Sequence, residues 1–281
     1  MSSRCLERIA AVLIVAAALA SGACGARELR VCADPDNLPY SRRDGAGFEN
    51  QIAVVLARAL DATPTFVWVP QGRGYVRKTL NAGLCDVVMG VPAHYDPVRA
   101  TRPYYRSTYV AVTRAGQYAF RDFDDPALRQ LPIGVQLVGD DLAATPPGHA
   151  LAQRGLIDNV RGYTIYGEGR QGERMVRDVA RGDIAVALLW GPQGAYFAAH
   201  EAQPLDVYVV RQPPDLPDVP FEYAIAVGVR KSDVELQREL DAALERSQPA
   251  IDAILRAYNV PRTDRQLARD GAAAHYAGAW Q

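Results

Sequence analysis

The sequence predicts an α/β protein made of two α/β lobes joined by a hinge of two crossing strands. Three observations lead there. Short apolar runs with strand character alternate with amphipathic runs of helical period. The alternation comes as two series in tandem, the second starting near Pro132 after a polar segment. A loop with four prolines (Pro213, Pro214, Pro217, Pro220) then precedes one more strand and a helical C-terminal region, so the chain returns to where it began.

In the first series, LRVCA (29–33) reads as a strand. ENQIAVVLARAL (49–60) places Ile52, Val55, Leu56, Ala59 and Leu60 on one helical face. TFVWV (65–69) is a strand, and 75–81 a short helix stopped by Gly83. DVVMG (86–90) is continuously apolar, as strands covered on both faces are. This β-α-β-α-β order implies right-handed crossovers and a parallel sheet. TYVAVT (108–113) alternates as a strand, and the chain is expected to cross between lobes near Tyr109.

The second series runs PIGVQLV (132–138), PPGHALAQRG (146–155), RGYTIY (161–166), ERMVRDVARG (173–182) and IAVALLW (184–190). Pro146 and Pro147 suit a helix start, Gly155 and Gly182 helix ends. DVYVV (206–210) is a further strand, and YAIAVGV (223–229) the last, carrying the return crossing near Tyr223. Ser232 and Glu235 form a capping box for one helix, and Ser247 with Pro249 open a second. A polar, Ala/Gly-rich stretch after Pro261 is expected to be a loosely ordered tail. The resulting division is 1–26 as a leader, 27–109 plus 224–281 as lobe one, and 110–223 as lobe two.

The leader rests on Arg4 and Arg8, the apolar run IAAVLIVAAALA (9–20) and the small residues SGACGA, which together read as a secretory signal peptide. Cleavage before Cys24 to give a lipoprotein is the alternative. A soluble exported, periplasmic protein is the expectation. Cys32 and Cys85 then remain, and an exported chain tends to pair such cysteines. If the first and third strands are neighbours, the two lie on adjacent strands; two buried thiols are the other possibility.

Net charge is −1, and all but two of the 31 basic residues (Lys78 and Lys231) are arginine. No basic excess points to nucleic acid or to an anionic membrane surface. The four histidines (His94, His149, His200, His275) are scattered, without a metal-ligand spacing. GEGRQG (167–172) matches G-x-G-x-x-G, but no acid follows the next strand to hold a ribose, so it reads as a loop. No nucleophile elbow or phosphate loop is present, and Asp140-Asp141 read as solvated or capping acids. Neither a cofactor nor a catalytic residue is expected.

In open α/β sheets ligands sit beyond the carboxyl ends of the strands. Those ends supply the candidate cleft: Asp34, Asn37 and Tyr40; Arg73; Pro92, His94, Asp96 and Arg99; Tyr104 and Tyr105; Gln136, Asp140 and Asp141; and Trp190.

Taken together, these segments resemble the type II periplasmic binding protein fold. GFENQIAVVLARAL is similar to the first helix of amino-acid-binding members, and LNAGLCDVVMG to their third strand entry. A narrower resemblance is to the MxaJ/XoxJ-type proteins that accompany quinoprotein (PQQ-dependent) methanol and alcohol dehydrogenases. LRVCADPDNLPYS, AGLCDVVMGVPAHYDPV, TRPYYRSTYV, IGVQLVGDD, TPPGHALAQRGLIDNVRGY, LLWGPQGAYFA and AIAVGVR carry it, from Leu29 to Arg230. The resemblance implies a non-enzymatic accessory of methanol oxidation, assisting maturation or activation of the dehydrogenase by direct binding to it or to its cytochrome c.

Amino-acid-binding members hold the ligand carboxylate with hydroxyls and an arginine. Here the hydroxyl positions read Pro92 and His94, and Arg99 aligns with the arginine. The lobe-two turn reads Gly139-Asp140-Asp141, whose carboxylates would repel an anion. A cleft without amino-acid chemistry is therefore expected, holding a partner segment or a small molecule. A solute receptor for an ABC importer and a dehydratase-like enzyme on the same fold are the alternatives.

Overall fold

The computed structural model describes residues 27–138, 143–165 and 171–263. The leader, Asp140-Asp141, most of the 167–172 glycine motif and the tail from 264 lie outside the described residues.

The first series gives β1 (Arg27–Ala33), the two-residue strands β2 (Asp36–Asn37) and β3 (Ser41–Arg42), α1 (Phe48–Ala59), β4 (Ala62–Trp68), α2 (Tyr75–Lys78) and β5 (Val87–Pro92). β6 (Arg99–Ala100) and the long β7 (Tyr105–Arg114) follow. β1 lies between β4 and β5, parallel to both. That places the first and third strands side by side, and Cys32 and Cys85 form a disulfide with Cα atoms 5.5 Å apart.

The second series gives β8 (Ile133–Val138), β9 (Ala143–Ala144), α3 (Pro146–Gln153), β10 (Val160–Thr164), α4 (Gln171–Arg181), β11 (Val186–Trp190), α5 (Gly191–His200) and β12 (Leu205–Val209). The chain closes with β13 (Glu222–Val229) and α6 (Val234–Ala257). The main strand path runs β10-β8-β11-β7-β13-β5-β1-β4.

The switch between lobes is built into β7. Its first part, Tyr105–Thr108, pairs antiparallel with Glu222–Ile225 of β13. Its second part pairs with β11 from Tyr109 and with β12 from Val110. The buried Thr108 hydroxyl donates to the Phe221 carbonyl at 2.9 Å, and Ser107 to the Pro261 carbonyl at 2.6 Å. Two strands thus cross between a first core around Phe48, Ile52, Leu56, Val227 and Leu244 and second-lobe cores around Val112, Val179, Leu189 and Leu188.

The structure differs from the sequence reading at three places. The sequence reading stops at Trp190, but α5 begins at Gly191 with Pro192 in its first turn, where proline's fixed φ fits and its missing N–H costs nothing. The two C-terminal helices are one, with Pro249 inside it. Leu240, Ala243 and Leu244 before the proline and Ile251 and Leu255 after it are all buried in the first core, and this packing holds both halves in one helix. The capping box is also absent: Asp233 is the N-cap residue, without a side-chain cap bond. No described helix is long and apolar enough to cross a membrane.

Candidate functional site

A cavity of about 270 Å³ lies at the carboxyl ends of the strands, with walls from both lobes. The turn after β1 forms one rim. Asp34 organises it: one carboxylate oxygen accepts from the Asp36 amide at 2.8 Å, the other from the Gln71 amide at 2.6 Å. Asn37 donates to Gln71 Oε1 at 3.0 Å, so the loops after β1 and β4 are tied together at the rim. Tyr40 closes this side. The carbonyls of Pro39 and Tyr40 accept the Phe48 and Glu49 amides, which satisfies the first free N–H groups of α1. Gly47 permits the approach, since a Cβ there would collide with the Tyr40 carbonyl.

Glu49, in the first turn of α1, reaches the cavity floor at only 8% exposure. Tyr104 stands beneath it, accepting from the Gly90 amide at 3.1 Å and donating to Glu49 Oε1 at 3.4 Å. Burial disfavours the charged carboxylate and pushes its pKa to about 8, against the weaker opposing pull of the Tyr104 bond. Gly90 is required twice over. Its φ is +73°, a left-handed conformation, and a Cβ would run into the Glu49 carboxyl.

Lobe two supplies amides and rings. Gln136, buried in β8, accepts the Trp190 backbone N–H at 2.9 Å and donates to Gln193 Oε1 at 2.7 Å. This fixes the junction of β11 and α5 where Trp190 faces the cavity. Trp190 packs edge-on against Tyr109 (5.3 Å between centroids) and Tyr223 (5.8 Å), and its side chain hydrogen-bonds Tyr105. Phe197 and Ile165 add apolar wall.

Of the fourteen candidates named from the sequence, the structure brings Asp34, Asn37, Tyr40, Tyr105, Gln136 and Trp190 to the cavity wall. Tyr104 lies one layer below, as support for Glu49. Arg73, Pro92, His94, Asp96 and Arg99 are exposed and do not line it, which corrects their placement in the cleft. After Pro92 the chain turns, and β6 adds to β13 at Gly228 and Val229. That turn carries Arg99 to the Lys231 carbonyl, 3.0 Å away, and leaves Asp96 beside Lys231 with its side chain 97% exposed. Arg73 stays outward while its neighbour Gln71 is drawn in by Asp34 and Asn37. Asp140 and Asp141 lie outside the described residues.

The sequence reading missed Glu49, Gln71, Tyr109 and Gln193. Glu49 sits inside the GFEN helix start, a charged residue where the helical pattern turns apolar, and that was the available signal. Among the described lining residues Asp34, Asp36 and Glu49 are acids and none is Lys, Arg or His; residues 139–142 and 166–170, next to the cavity in sequence, lie outside the described residues. Among the described residues no group of three or more His, Cys, Asp or Glu side chains is placed to hold a metal ion.

No family model matches the chain. It is 34% identical over 243 residues to Protein MoxJ of Methylorubrum extorquens, covering 83% of this chain and 81% of that one. The crystal structure of the periplasmic binding protein XoxJ from Methylobacterium extorquens AM1 superposes with a TM-score of 0.70 at 34% identity, over 83% of this chain and 98% of that one. MxaJ from Methlophaga aminisulfidivorans MPT gives 0.72 at 27% identity, over 83% and 99%. With the fold and this extent of likeness in agreement, the chain belongs to the MoxJ family of periplasmic-binding-protein-like chains, the MxaJ/XoxJ type.

Proposed function

We propose that the chain is a non-enzymatic periplasmic accessory of a PQQ-dependent methanol or alcohol dehydrogenase system, acting on the maturation or activation of the dehydrogenase by direct binding to it or to its cytochrome c. The observation that carries this reading is the likeness to MoxJ and XoxJ along nearly the whole described chain. Export through the N-terminal leader puts the chain in the compartment of those relatives, and the Cys32–Cys85 disulfide suits an oxidising one. We take the lobes as 27–109 plus 224–281 and 110–223, a division supported by the change of partners along β7 between Thr108 and Tyr109.

The cleft supports an accessory role over uptake of amino acids. A receptor for amino acids needs a cation for the ligand carboxylate, and Arg99 faces away from the cavity. The wall also offers no described nucleophile beside a base.

Affinity purification of the tagged protein from its native periplasm, with mass spectrometry of proteins and small molecules, tests the proposal. A quinoprotein dehydrogenase or its cytochrome should co-purify and survive moderate salt. A stoichiometric small molecule without such a partner would overturn it in favour of a solute receptor.

A further inference from the structure

We propose that an arginine-lined groove of lobe two, at the end away from the cleft, docks an extended acidic segment of a protein partner. This goes beyond the accessory role and does not rest on it.

The fold gathers the charges. α4 buries Met175, Val176 and Val179 in the second-lobe core. Arg174, Arg177 and Arg181 follow one another at spacings of three and four residues, so they share the opposite, exposed face of the helix. With Arg161 of β10 they line an open groove of about 710 Å³. Pro132 and Ile184 line it as well, which sets it at the amino ends of β8 and β11. Ile165 and Gln171, the residues that flank 166–170, line the cleft cavity instead, so cleft and groove take opposite ends of lobe two.

Nearby acids leave part of this charge uncompensated. Buried Asp178 accepts from the Tyr163 hydroxyl at 2.6 Å and from Arg161 at 3.4 Å. Arg177 pairs with Glu173 at 2.5 Å and approaches Glu201 at 4.0 Å. Arg174 and Arg181 are exposed and have no acidic partner among the described residues. Asp183 is the other described acid of the groove. A fifth arginine borders it: a Cβ at Gly182 would meet the Arg114 guanidinium at 3.0 Å.

Spacing and shape select the partner. Guanidinium forks match carboxylates with paired hydrogen bonds. The rise of a helix sets Arg174 and Arg181 about 10 Å apart along its axis. One small anion does not span that distance, whereas carboxylates three residues apart on an extended chain are separated by about 10 Å. β10 ends the main strand path, and no described strand pairs with its outer edge. Arg161 and Gly162 are exposed there, and such an edge can pair with the backbone of an extended segment.

Fluorescence anisotropy of the purified protein with a labelled peptide carrying glutamate at every third position, serine between, tests this. A matched peptide with glutamine in place of glutamate is the control, and inorganic phosphate the competitor. The glutamate peptide should bind about tenfold more tightly than the glutamine one, and lose about tenfold in affinity between about 50 and about 500 mM salt. Arg174→Ser with Arg181→Ser should weaken it about tenfold. Arg77→Ser with Arg238→Ser removes the same charge from exposed positions of lobe one and should leave the affinity unchanged. Asp183→Asn removes the opposing acid and should tighten binding severalfold, which keeps the test open if the double groove variant does not fold. Equal losses in the two double variants would reduce the effect to net charge and overturn the proposal. Equal binding of the glutamine peptide, or displacement of the glutamate peptide by millimolar phosphate, as at a site for a free anion, would overturn it too.

Discussion

The two walls of the cleft differ in chemistry and in how they are held. Lobe one presents Asp34, Asp36 and Glu49 on turns and a helix start, fixed by backbone amides, by Tyr104 and by the nearby Cys32–Cys85 disulfide. The described lobe-two wall presents no acid; it offers Gln136, Gln171, Gln193 and aromatic rings. Among the described residues, the acids of the wall come from lobe one. With this asymmetry, changes on the two sides should have different signatures.

Glu49 should give the largest. Its pKa in the fold, about 8, lies above the unfolded value of 4.5, so the native state holds a proton the unfolded chain has lost. Stability then falls as pH rises from about 4.5 to about 8 and levels off beyond. Glu49→Gln removes that dependence. The variant should match the parent near pH 5 and exceed it above pH 8 by an amount on the order of 4 kcal/mol, from about 1.4 kcal/mol per pKa unit. Urea titrations at several pH values measure it, and parallel curves for the two proteins would contradict a buried neutral acid.

The disulfide comes next. It closes a 53-residue separation inside lobe one. Cys32→Ala with Cys85→Ala should cost about 4 kcal/mol, the chain-entropy value for a loop of that length. Because nothing comparable staples the described part of lobe two, hydrogen exchange should speed up in β1 and β5 more than in β8 and β11. Equal loss in both lobes would mean that they unfold as one unit.

The sequence carried the fold further than it carried the site. Periodicity located strands such as 29–33 and 132–138 and the helix 49–60 to within a few residues, because each must bury one face. It merged nothing across Pro249, since proline is a helix breaker unless packing on both flanks overrides it, as Leu244 and Ile251 do here. The site was partly legible because strand ends in such sheets converge, which brought in Asp34, Asn37, Tyr40, Gln136 and Trp190. It failed for His94, Asp96 and Arg99 because their direction depends on the turn after Pro92, whose geometry no local pattern encodes. Glu49 was passed over because its burial is a tertiary fact, imposed by Gly90 and Tyr104 from distant strands.

Leu38 tests the closure side of the comparison. It belongs by sequence to the lobe-one turn, yet it is buried in the same apolar cluster as Val110, Met175 and Phe197 of lobe two. It is the described lobe-one residue of that cluster and bridges the walls beside the cavity. Leu38→Ala should cost about 2–3 kcal/mol from lost burial and the space left behind. The more telling readout is the distance between lobes: small-angle scattering should show a larger radius of gyration for the variant. An unchanged radius would place closure in the hinge instead, at Thr108 and Ser107.

The smallest expected effect lies wholly in lobe two. Gln136→Leu keeps the side-chain volume close but removes an acceptor from the Trp190 amide and a donor to Gln193. Leaving those two groups without their partner should cost about 1–2 kcal/mol. Trp190 should be displaced at the junction of β11 and α5 that Gln136 holds, without a change in lobe one. Fluorescence of that tryptophan would shift with the mutation. An unchanged spectrum would mean that Gln136 does not hold that ring and that its packing against Tyr109 and Tyr223 fixes it instead.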